Sequence, residues 1–330
     1  MAVNNYYEEP YAGKLQVRFC EGLKFAQLTR RENRMSLLNK YYGNVVLVTG
    51  ASSGIGKSIA EYLSRKGYRV YGTSRRLRLT AGADCSAVAQ TASSVNGFGA
   101  VASGGFIKML QLDVCSEEAV KAAVEQVLEA EGELGIVINN AGMGIAGSVE
   151  DTSPQEAFQQ FDTNFFGMHR LIRQVLPSMR KQGRGLIINM SSVGAVFPIP
   201  YQSMYVASKA AIEGMSGSLR NELRPFGIKV ALVEPGDTKT GFTESRLFVN
   251  AGGESSAYSV YSKKSIAVME RDEVNGPEPF GVAKAVEKII RRRNPPVCIA
   301  VGIKYKLLVF LKRIIPRALE AFIVSKIYEG

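Results

Sequence analysis

Apolar positions along this chain fall into short unbroken runs, and between the runs they recur every three or four residues. The runs at 45–49 (VVLVT), 68–74 (YRVYGTS), 106–114 (FIKMLQLDV), 135–142 (GIVINNAG), 185–192 (GLIINMSS) and 227–236 (GIKVALVEPG) have the length of strands. The segments between them have a helical period. In 57–66, Ile59, Ala60 and Leu63 share one face. Residues 116–132 open on Ser-Glu-Glu, a signal for a helix N-terminus. Residues 154–179 open on Ser153-Pro154, which puts proline at the first helical position, and residues 201–223 make a fourth helix. Strands that are apolar throughout are covered on both faces. Their alternation with amphipathic helices predicts an α/β fold with a doubly wound parallel sheet.

Three segments break the alternation. Residues 1–40 are polar and irregular and read as an N-terminal extension, with Met35 just ahead of the first strand. Residues 77–105, rich in alanine, glycine and serine, read as an inserted loop. Residues 237–276 follow the sixth strand and read as a mobile lid. A single domain over 41–303 then leaves a tail, residues 304–330. In that tail Lys306, Arg313, Arg317 and Glu320 fall on one helical face. Leu307, Leu311, Ile314, Ala318 and Phe322 fall elsewhere, although Lys312 and Lys326 break the division, and Pro316 should kink or end the first helix. A basic amphipathic tail can lie on a membrane, cover a pocket, or pack on the core or a second subunit.

Composition narrows the classes. Among 330 residues, 46% are hydrophobic and 22% charged, ordinary for a globular protein with a sizeable core. The charge-free apolar run at 307–311 is far too short to cross a bilayer, and the first residues contain no apolar stretch of a secretory signal. Cys20, Cys85, Cys115 and Cys298 are scattered, and His169 is the only histidine. No metal site and no disulfide framework are expected, which fits a cytoplasmic protein. The net charge of +11 is carried by the ends and by the stretch at 287–293, leaving the remainder near neutral. Nucleic acid is therefore not an expected partner. Basic ends suit an anionic membrane surface or an acidic partner, or form a solvated periphery.

The first strand runs into Gly50, Gly54 and Gly56 and then a helix. Glycine lets the backbone turn sharply and approach a phosphate, and the helix start offers free N–H groups and partial positive charge. This is the cradle of a dinucleotide pyrophosphate.

TGASSGIG (49–56) resembles the cofactor motif of the short-chain dehydrogenase/reductase family. Asn139-Asn140-Ala141-Gly142 resembles its NNAG, Tyr205 with Lys209 its Y-x-x-x-K, and Pro235-Gly236 the PG after its sixth strand. The four motifs keep the family's order across roughly 44–303. The resemblance implies a Rossmann fold and, as the family usually forms them, a homodimer or homotetramer. It also implies the roles of particular residues. Tyr205 would be the general acid/base, and Lys209 would hold the nicotinamide ribose and tune Tyr205. Ser192, preferred over Ser191 because it precedes Tyr205 by 13 positions, would bind the substrate oxygen. Asn164 would support a water leading to Lys209. Cofactor contacts would come from Gly50, Ser52, Ser53, Gly54, Ile55 and Gly56, from Asp113 and Val114, and from Asn140, Ala141 and Gly142. Pro235, Gly236, Thr238 and Thr240 would complete them. Tyr205 and Lys209, four apart on a helix, share a face, so the ammonium should lower the phenol's pKa toward neutral.

The second strand ends in Thr73-Ser74-Arg75-Arg76 with no carboxylate. An arginine fork suits a ribose 2′-phosphate, so NADP(H) is favoured over NAD(H). Pocket walls are expected from 143–148, 193–204 and 241–249, offering Val196, Phe197, Ile199, Tyr201, Met204, Phe242, Leu247 and Phe248, with Arg246 in the lid. Such walls suit a lipophilic alcohol or ketone. The stretches around NNAG and before Tyr205 resemble the hydroxysteroid and retinol dehydrogenase branches. A 3-ketoacyl thioester reductase, and an NADP(H)-sensing regulatory protein of another class, stand as alternatives.

Overall fold

The computed structural model describes residues 40–76 and 104–328. Everything in the described region from Tyr41 onward belongs to one compact unit. Residues 1–39 and 77–103, which hold most of the predicted extension and insertion, lie outside the described residues.

Seven strands form a parallel sheet: β1 (Val45–Val48), β2 (Arg69–Ser74), β3 (Phe106–Gln111), β4 (Ile136–Asn139), β6 (Gly185–Met190), β7 (Ile228–Pro235) and β9 (Cys298–Val301). Their spatial order is β3-β2-β1-β4-β6-β7-β9. The central strands β1, β4 and β6 are buried at every position, as strands covered on both faces must be. One face packs on α2 (Glu117–Glu131), α4 (Gly167–Gln182) and α5 (Ser203–Glu222), with Leu47, Val137 and Ile187 meeting Val124, Leu171 and Ile212 in a single cluster. The other face carries α1 (Gly54–Arg65) and α7 (Phe280–Ile290), joined by an edge-on contact of Tyr62 with Phe280. After β1 the chain steps outward through β2 to β3, then crosses back to place β4 on the other side of β1. Loops at the ends of β1 and β4 therefore diverge and open a crevice.

Four expectations need correction. The helix predicted over 154–179 is three pieces: α3 (Pro154–Phe161), a π-helical turn (Asp162–Phe166) and α4. The turn holds Asn164, whose side chain is tied to the Met143 backbone and Ser208. The third strand stops at Gln111 rather than 114. The seventh strand, β9, was not foreseen. It is four residues long, half-exposed at the sheet edge, and too short to show a pattern. The lid at 237–276 is largely regular. It contains β8 (Leu247–Phe248), paired with β5 (Ile145–Ala146), and α6 (Ser259–Val274). Serine hid that helix, because Ser259, Ser262 and Ser265 occupy its buried face beside Ile266 and Met269.

The tail forms α8 (Ile303–Lys312) and α9 (Arg317–Tyr328), with Pro316 in the break between them. No helix of the described residues is long and apolar enough to cross a membrane.

Candidate active site

The glycine turn is shaped by two different constraints. Gly54 has φ +53°, in the left-handed region that favours glycine. At Gly56 the constraint is space: an added Cβ would lie 2.2 Å from the Gly50 carbonyl oxygen and 2.5 Å from Asn140 Nδ2. The start of α1 lacks a side-chain cap and has no acid in its first turn. Its first N–H groups are thus left to a ligand, and Ser52 and Ser53 stand exposed beside them. Asn140 is a strut as well as a wall of the crevice. Its Nδ2 donates to the carbonyls of Thr49 (2.9 Å) and Gly50 (3.3 Å), while Thr49 Oγ1 accepts from the N–H groups of Asn140 and Ala141. β1 and β4 are thereby locked together where the crevice opens.

A cavity of about 1360 Å³ occupies that crevice. Gly50, Ser52, Ser53, Gly54, Ile55, Arg75, Arg76, Val114, Ala141 and Gly142 line it, with Pro235, Gly236, Thr238 and Thr240 across from them. Ser192, Tyr205 and Lys209 lie in the same wall. Arg75 and Arg76 are exposed and take part in no ion pair among the described residues. Three predicted residues are not in this lining: Gly56, whose open side faces Gly50 and Asn140, and then Asp113 and Asn164. Asp113 accepts from the Cys115 N–H at 3.0 Å, and its neighbours Leu112 and Val114 form the wall instead. Asn164 is buried one layer below. It donates to Met143 O (3.1 Å) and Ser208 Oγ (3.1 Å) and accepts from Met143 N (2.8 Å). In this arrangement its amide clamps the loop after NNAG and bonds Ser208, the residue before Lys209.

The geometry separates the two serines. Ser191 Oγ donates to Glu213 Oε1 at 2.7 Å, away from Tyr205. Ser192 accepts from the Gly194 N–H at 3.0 Å and shares a hydrogen bond with Tyr205. Lys209 Nζ lies 5.7 Å from the Tyr205 ring centroid and donates to Met190 O at 2.9 Å.

The electrostatics correct one expectation. Burial pushes the Tyr205 phenol up, the Ser192 hydrogen bond opposes the rise, Glu273 adds to it and Arg246 lowers it. Burial also pulls Lys209 down to about 8. The amine therefore does not bring the phenol toward neutral pH: it is not among the charges that act on the phenol, and burial sets the direction for both groups. A phenol raised this way is protonated at neutral pH and poised to donate.

At the far end the walls differ from expectation. Phe197, Ile199 and Phe242 line the cavity as predicted, but Leu247 and Phe248 are exposed on β8. Arg246 is fully buried and bonded to Glu273 at 2.5 Å, so it is committed to an internal ion pair. The missing walls come from Met269 and from the tail, with Leu308, Leu311, Ile315, Val324 and Tyr328. Tyr305 seals one corner, its ring against Gly236 and its hydroxyl donating to Asp237 at 2.6 Å. The amphipathic pattern of 304–330 marked the tail as a covering element without saying what it covered.

The sequence agrees with known proteins along this frame. The short chain dehydrogenase family matches residues 44–248. A 3-ketodihydrosphingosine reductase of Bacteroides thetaiotaomicron is 42% identical over 78% of this chain and 87% of its own. Retinol dehydrogenase 8 of Bos taurus is 34% identical over 82% of this chain and 85% of its own. A short-chain dehydrogenase structure from Streptomyces avermitilis superposes with a TM-score of 0.68 at 31% identity, covering 86% of this chain and 99% of that one. With the parallel sheet, glycine turn and Ser192–Tyr205–Lys209 wall in place, the chain belongs to the short-chain dehydrogenase family and is an oxidoreductase acting between a hydroxyl and a carbonyl group.

Proposed function

We propose that this protein is an NADP(H)-dependent oxidoreductase that interconverts a hydroxyl and a carbonyl on a lipophilic substrate. The observation that carries the reading is one continuous cavity, polar and glycine-lined at one end and walled by apolar tail side chains at the other, with Tyr205 and Ser192 in its wall. The chain fits a dinucleotide phosphate. The uncapped start of α1 would take the pyrophosphate, Gly56 lets the turn close against Gly50 and Asn140, and Arg75 and Arg76 suit the 2′-phosphate. Bound there, the cofactor supplies the hydride.

The chain itself handles the proton. Tyr205, held protonated by burial, donates from its hydroxyl to the substrate oxygen. Ser192, which stands beside Tyr205, gives up its bond to the phenol as the substrate oxygen arrives, donates its own proton to that oxygen and fixes its position. Lys209 holds the nicotinamide ribose, and Asn164 keeps the loop at 143 in place. A protonated phenol is the form that the reduction direction uses. The apolar far end favours a lipid ketone, and the relatives named as 3-ketodihydrosphingosine reductase and retinol dehydrogenase support that class. A membrane surface, met through the tail, completes the partners.

The test is NADPH absorbance with a panel of a long-chain amino ketone, retinal, a steroid ketone and an acetoacetyl thioester, beside NADH. Consumption of NADPH with a lipophilic ketone is expected. Turnover of the thioester alone would move the assignment to thioester reduction, and loss of Tyr205 without effect would end the mechanism.

A further inference from the structure

The two tail helices have two working faces. Inward, Leu308, Leu311 and Val324 line the cavity, and Tyr305 and Glu320 are buried. Outward, α8 and the turn after it carry Ile303 (87% exposed), Leu307 (57%), Phe310 (59%) and Ile314 (67%). These positions are spaced by four, three and four residues, a single helical stripe. On α9, Leu319 and Phe322 are exposed and outside the cavity, whereas Ile323 and Ile327, though partly exposed, line it. The structure thus leaves in water a long and a short apolar stripe that a folded chain would ordinarily bury.

The charges around these stripes identify what covers them. Lys304, Lys306, Arg313, Arg317 and Lys326 are all exposed. The single acid among the described residues of the tail, Glu320, is buried and paired with Lys312. Every exposed charge on the pair of helices is therefore positive. A second copy docking here through a two-fold axis would bring like charges together, which opposes association. An anionic bilayer is complementary: bases meet headgroups while the apolar stripes enter the acyl boundary.

We infer that α8 and α9 dock on an anionic lipid surface, with Leu307, Phe310 and Phe322 inserted and the five bases at the headgroups. The same two helices wall the cavity, so docking places the apolar chamber against the bilayer that holds a lipid substrate. This second consequence rests on the lipophilic-substrate reading; docking itself does not.

The test uses full-length protein with phosphatidylcholine vesicles, with and without phosphatidylserine. Flotation is measured for the wild type, for Leu307→Gln with Phe310→Gln, and for Lys306→Glu with Arg313→Glu. Unchanged circular dichroism and melting temperature establish that the variants fold. Wild type should float with phosphatidylserine vesicles, far less with phosphatidylcholine alone, and less as salt is raised. Both variants should lose at least about tenfold in partitioning. They should keep wild-type turnover of a short water-soluble ketone while showing a higher apparent KM for a ketone embedded in vesicles. Equal flotation of wild type and variants, or none with either lipid, overturns the proposal. So does a wild-type dimer, seen by light scattering, that the Leu307 and Phe310 changes dissociate, because a second copy would then be the occupant. Flotation without turnover of any ketone would leave docking standing and remove the substrate reading instead.

Discussion

The two ends of the cavity are built on different principles. At the cofactor end the backbone is the site: Gly54 and Gly56 bare the chain, and Asn140 and Thr49 pin β1 to β4. At the substrate end side chains are the site, drawn from α5, α6 and the tail, far apart in sequence. A backbone cradle tolerates little variation, since an added methyl at Gly56 meets an oxygen 2.2 Å away. An apolar wall tolerates exchange of one large side chain for another with modest cost. Change at the cofactor end should therefore stop the enzyme, and change at the tail end should redirect it.

The largest test lies where the two ends meet. Tyr205→Phe should reduce turnover by about 10² to 10⁴-fold while NADPH binding, followed by fluorescence, stays intact. Unchanged turnover would dissolve the meeting point altogether.

Lys209 gives the next largest effect. Its folded pKa of about 8 lies below the ordinary 10.5. Between those values the unfolded chain keeps a proton that the folded protein has lost, so stability from this group rises with pH across that window. Below pH 8 the buried ammonium weakens the fold. The stability difference between wild type and Lys209→Met should therefore shift in favour of wild type by roughly 2 to 3 kcal/mol between pH 7 and 10. Urea unfolding at both pH values measures it, and a constant difference would show that Lys209 is not desolvated as described.

Arg75→Ala with Arg76→Ala should raise the KM for NADPH by about 10- to 100-fold and leave that for NADH nearly unchanged. An equal effect on both would mean that the pair does not read the 2′-phosphate. Smallest is the tail. Leu311→Ala should raise KM for a lipophilic ketone by about tenfold or less, without effect on NADPH. An equal loss with a short soluble ketone would take Leu311 out of the chamber wall.

The contrast also governs how much could be read in advance. The α/β alternation, six of the seven strands of the sheet and the glycine turn were legible, because each depends on residues adjacent in the chain. Tyr205 and Lys209 were singled out because they match the family's Y-x-x-x-K, and four positions apart on a helix they share a face. Their protonation was misjudged, since burial is a property of what surrounds a helix and not of its own spacing. β9 and α6 were missed for local reasons: one is too short, and the other buries serines that carry no apolar period. Leu247 and Phe248 were assigned to the pocket by proximity in sequence, whereas pairing with Ile145 and Ala146 turns them to solvent.

The sequence by itself determined the doubly wound frame and the glycine cradle, because hydrophobic period and glycine placement are local quantities, and its family motifs named Tyr205 and Ser192 as the proposed reacting side chains. Only the tertiary structure decided which serine bonds Tyr205, where Asn164 spends its amide, how burial sets the phenol and amine, and that the tail closes the substrate chamber. Those depend on distances between segments far apart in the chain, as Tyr328 and Ile199 are, which packing fixes and local pattern does not encode.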